Sequence, residues 1–225
     1  MLPLTSPLMT DLAATWSRWK EETFGSGYHI WHEGLDVAAV TRLQGQARER
    51  ALAMLRLGRS LGDDHASEAL AAMGDAPTIA AMRARLDAGD PPLPPATRVR
   101  FVRVLHTVTS DPQLADHLIA ILDETWSKGQ PWSPRVDAAM ALREFAGEAD
   151  EAALLRAVSD PSYLVRCHAC ESLLHRWRAG RRQVSDYPAL FALIRGPDDD
   201  DAPTAGDLAR YAEARQRLRA LAARH

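Results

Sequence analysis

Apolar residues recur at i, i+3, i+4 and i+7 along most of the chain, while alternation with period two is scarce. That spacing gathers apolar groups on one face of a helix and leaves the opposite face polar. It predicts helices over 10–22, 36–43, 46–57, 65–73, 77–87, 97–109, 112–126, 134–145, 148–158, 162–178, 186–194 and 207–223. Several starts set a capping aspartate just before a proline, as in Asp75-Ala76-Pro77, Asp111-Pro112 and Asp160-Pro161. Proline suits the first turn because its missing N–H would find no intrahelical partner there. The chain therefore reads as all-α.

The helical pattern repeats. Gly62–Ala71, Pro134–Arg143 and Val165–Leu174 superpose as a polar start, small residues and then leucine, with a looser copy at Thr97–His106. With Asp63, Arg98, Arg135 and Arg166 as equivalent positions, the copies lie 35, 37 and 31 residues apart. Each is followed by a turn and a second helical stretch. A helix pair of this period buries its apolar face only against neighbouring pairs, which is the basis of an α-solenoid. On these residues the segment 62–197 resembles HEAT repeats, and 63–87 (DDHASEALAAMGDAPTIAAMRARLD) is similar to the short form found in phycobilin lyases. The resemblance implies a right-handed α-solenoid of about five helix pairs. Residues 1–61 would supply N-terminal capping helices and a divergent first pair, and 198–225 an acidic loop with a C-terminal capping helix.

Charge and composition narrow the function. With 27 Lys+Arg against 30 Asp+Glu, the net charge of −3 disfavours a nucleic-acid partner, because duplex binding depends on neutralising many phosphates. No apolar stretch approaches the roughly 18–20 residues of a membrane span, and Met1–Thr10 lacks the pattern of a secretory leader. Two cysteines make no disulfide framework, so the expected location is cytoplasmic.

Four motifs carry candidate chemistry. Cys167-His168-Ala169-Cys170 contains C-x-x-C, but it lies in a helical repeat, and Cys170 takes the small-residue place of Ala139 in the preceding copy. Packing is the expected role. His65-x-x-Glu68 and His168-x-x-Glu171 each place His and Glu on one helix face, the spacing of di-iron carboxylate proteins. Polar residues are tolerated at these positions because they face the rim, and that is the expected account. Between the first two predicted helices, Tyr28–Glu33 concentrates aromatic and titratable groups, read as a staple in which Ile30 and Trp31 pin the N-terminal helix. Arginines cluster at Arg98, Arg100 and Arg103 and again at Arg176, Arg178, Arg181 and Arg182. HEAT-like alkylpurine DNA glycosylases hold the duplex on a basic surface, which gives these clusters an alternative meaning.

In HEAT repeats the second helix of each pair lines the concave side, so the outward residues of 112–126 and 148–158 form the candidate site. Asp116, Asp123, Glu124, Glu148, Asp150 and Glu151 fall outside the apolar stripes, with Trp126 and Trp132 at the edge. Acidic rims with aromatic anchors suit a basic protein partner. The expected function is a non-catalytic module that presents a solenoid surface to a protein, in the manner of an immunity or antitoxin-like protein or an adaptor. No cofactor and no catalytic residue is assigned. The alternatives are an enzyme acting on nucleic acid, a phycobilin-lyase-like enzyme and a metal-binding HEAT enzyme.

Overall fold

A computed structural model describes residues 7–33, 35–124, 131–196 and 203–223, and among these the chain is all-helical, with no strand. The α-helices are α1 Pro7–Phe24, α2 Gly27–Glu33, α3 Ala38–Thr41, α4 Gly45–Ser60, α5 Asp64–Ala72, α6 Ala76–Asp87, α7 Pro95–Thr109, α8 Ala115–Asp123, α9 Ser133–Ala141, α10 Glu148–Ala157, α11 Tyr163–Arg176, α12 Pro188–Ile194 and α13 Ala205–Ala222. Two of the three aspartate–proline starts are used as expected, with Asp75 and Asp111 as caps, while α11 begins at Tyr163 beyond Pro161 with Ser162 at its N-cap. Asp75 accepts from Thr78 N, Asp111 from Gln113 N and Asp160 from Ser162 N. These bonds satisfy N–H groups that a helix start leaves without partners. The stretch around Tyr28, expected to link two helices, is itself the short helix α2, set off from α1 by Gly25 at φ 93°. Three segments tighten into 3₁₀ turns, at Pro112–Leu114, Leu142–Glu144 and Val184–Asp186.

The chain divides into two compact units, Met1–Leu93 with Val104–Ser110, and Pro94–Arg103 with Asp111–His225. In the first, Trp16, Phe24, Ile30, Val40, Leu55, Ala66, Ala69 and Leu70 form a closed apolar cluster. Ile30 thus does the anchoring expected of it, whereas the Trp31 side chain lies outside the described residues. The indole of Trp16 rests on Gly58 of α4, where an added Cβ would come within 2.6 Å of the ring. Its Nε1 donates to Asp63 at 2.9 Å, and Lys20 Nζ joins the same carboxylate at 2.7 Å. Asp63 also caps α5 through His65 N.

That contact yields a prediction. Alanine is the better helix former by about 1 kcal/mol, yet Gly58→Ala should destabilise the protein by roughly 1–3 kcal/mol, because the indole cannot move without leaving its packed site. In thermal unfolding, Gly58→Ala should be strongly non-additive with Trp16→Phe, since the two sites touch. Additive losses would place the strain elsewhere.

In the second unit, helices pack on their sequence neighbours and also on the helix two places along: α8 on α9 and α10, α11 on α9, α10, α12 and α13. Alanines at 138, 139, 153 and 169 are wholly buried at these crossings. The three repeat-equivalent arginines reach the end of the helix that follows their own. Arg98 meets Glu124 at 2.5 Å, Arg135 meets Asp160 at 3.3 Å, and Arg166 donates to Ile194 O at 2.9 Å. A cation at a helix C-terminus is favoured by the aligned peptide dipoles, so each guanidinium ties the start of one helix to the end of the next. In the first copy the equivalent Asp63 instead holds Trp16 and Lys20 of α1, and its neighbour Asp64 meets Arg85 on α6.

Candidate functional site

The outward face of α8 and α10 can now be built from its register. Arg156 grips Asp123 with Nη2 at 2.8 and 3.1 Å from the two carboxylate oxygens, and adds Nε at 3.2 Å. This fork holds the C-terminal ends of α8 and α10 side by side, as planar guanidinium and carboxylate geometry favours. Leu118, Ile121 and Leu122 of α8 and Ala153, Leu154 and Leu155 of α10 turn inward. Outward remain Asp116, Ala120 and Asp123 on α8, and Glu148, Ala149, Ala152 and Arg156 on α10.

The sequence-derived acidic residues fare differently from one another. Asp116 and Glu148 are exposed, as expected. Asp123 and Glu124 are exposed too, but their charges are matched by Arg156 and Arg98. Glu151 is half-buried and accepts from Trp177 Nε1 at 2.9 Å. Asp150, placed outward by the apolar stripe, is buried instead. Its carboxylate takes Gly147 N at 2.7 Å and stands 3.9 Å from Arg176. A carboxylate in the first turn bonds backward to the helix-start N–H, and that bond draws it against the protein. Trp132 is 41 % exposed at the start of α9. Trp126 and the acidic run 198–201 lie outside the described residues.

A cleft of about 320 Å³ opens beside this face, lined by Asp123, Glu124, Arg135, Arg156, Ser159 and Asp160 among others. Its charges pair off as Asp123–Arg156, Glu124–Arg98 and Asp160–Arg135. These pairs join the ends of neighbouring helices across the cleft.

The remaining titratable groups follow their surroundings. Burial raises the Cys170 thiol well above its usual range, and burial raises Cys167 as well. Both therefore stay protonated near neutral pH, the opposite of a redox or nucleophilic thiolate. Cys170 is fully buried, in keeping with the packing role read from the repeat. Asp137 is raised by burial, against the nearby positive charges of Arg103, His168 and Arg100. His168 Nδ1 lies 3.5 Å from Glu171, but among the described residues no group of three or more His, Cys, Asp or Glu side chains converges as a metal shell requires.

Part of each arginine cluster is engaged within the fold. Arg98 holds Glu124, and Arg176 donates to Gly147 O at 3.0 Å and Leu142 O at 3.4 Å. Arg178, Arg181 and Arg182 remain exposed. Among the described residues no helix is long and apolar enough to cross a membrane.

No family model, curated protein or solved structure matches the chain. What the fold and site define is an all-helical protein whose second unit stacks its helices two apart as well as side by side.

Proposed function

We propose that the chain is a non-catalytic binding module built as a HEAT-like solenoid, and that the outward face of α8 and α10 receives a basic segment of a protein partner. The observation that carries this reading is the packing of α8 on α10 and of α9 on α11. Two rows of like helices stacked in this way are the arrangement by which repeat proteins present a broad, rigid surface. Asp116 and Glu148 stand at the open end of the face, and Ala120, Ala149 and Ala152 keep its middle low enough for close approach. Exposed rim carboxylates steer a basic partner and set the salt dependence of its association.

The test is affinity capture at moderate salt, followed by titration of the recovered protein. The expected result is a stoichiometric partner with a basic contact segment, bound at least about tenfold more weakly by Asp116→Lys/Glu148→Lys, with the difference shrinking as salt rises. Capture of no stoichiometric protein, or equal affinity for the double variant, would overturn the proposal.

A further inference from the structure

No further inference is drawn: the strongest candidate, the cleft beside α8 and α10 with the buried Arg135 in its wall, carries nothing, because Arg135 already faces Asp160 at 3.3 Å and the other charges around it pair off, so nothing in the structure shows what would fill it.

Discussion

Replacing Arg166 with alanine should cost the second unit roughly 3–5 kcal/mol, read as a lower urea midpoint with little change in slope. Arg166 is completely buried. Its Nη1 donates to Asp160 O and Pro161 O at 2.6 Å, and its Nε donates to Ile194 O at 2.9 Å. Its guanidinium also lies 4.6 Å from the centre of the Tyr211 ring. The alanine variant would open a cavity the size of the side chain and leave two buried carbonyls and one half-buried carbonyl short of a donor, and both effects are costly. Arg166→Lys keeps the charge but not the fork, so it should fall between the two. This second variant remains informative if the alanine protein does not fold. Equal stability of all three proteins would show that the clamp between α11 and the end of α12 contributes nothing.

The second large effect belongs to Asp63. Its carboxylate collects Trp16 Nε1, Lys20 Nζ and the His65 backbone N–H. Burial alone would raise its pKa, but hydrogen bonds from His65, Lys20 and Trp16, with the charge of Lys20, outweigh burial and hold it well below the ordinary 3.8. A carboxylate depressed in the folded state stabilises the protein at pH values above its unfolded pKa, and that contribution disappears as pH falls below it. Acid unfolding of the parent should therefore steepen below about pH 4. Asp63→Ala should lose about 1 kcal/mol for the cap and about 1–3 kcal/mol for the orphaned indole donor at neutral pH. The variant should also lack the part of the acid dependence that Asp63 supplies. Stability curves that run parallel through pH 2–5 would contradict this assignment.

Much of the architecture was legible because its determinants are local. An aspartate set just before a proline is a local helix-start signal, and Asp75 and Asp111 act as read, whereas Asp160 bonds to Ser162 N and the helix begins only at Tyr163, beyond Pro161. The equivalence of Arg98, Arg135 and Arg166 could be read from spacing, and the structure gives the three a common task at helix ends. What each guanidinium meets was not legible, since two meet carboxylates and the third meets carbonyls that carry no mark in the sequence. The pairing of Asp123 with Arg156 depends on the register of α8 against α10, 33 residues apart along the chain. A reading of outward charge therefore overstated the acidity of that face. Asp150 was misplaced for a related reason. Helical periodicity assigns it to the polar side, but a first-turn carboxylate folds back to cap Gly147. The helix α2 escaped notice because Gly25 and Gly27 fall at its start and its length allows less than two clear periods.

The most direct test of the binding-module account is amide hydrogen exchange of the chain, alone and saturated with its captured partner. The account predicts slowed exchange over Ala115–Asp123 and Glu148–Ala157, the helices that carry Asp116 and Glu148. Protection confined to other helices, with α8 and α10 unchanged, would contradict it.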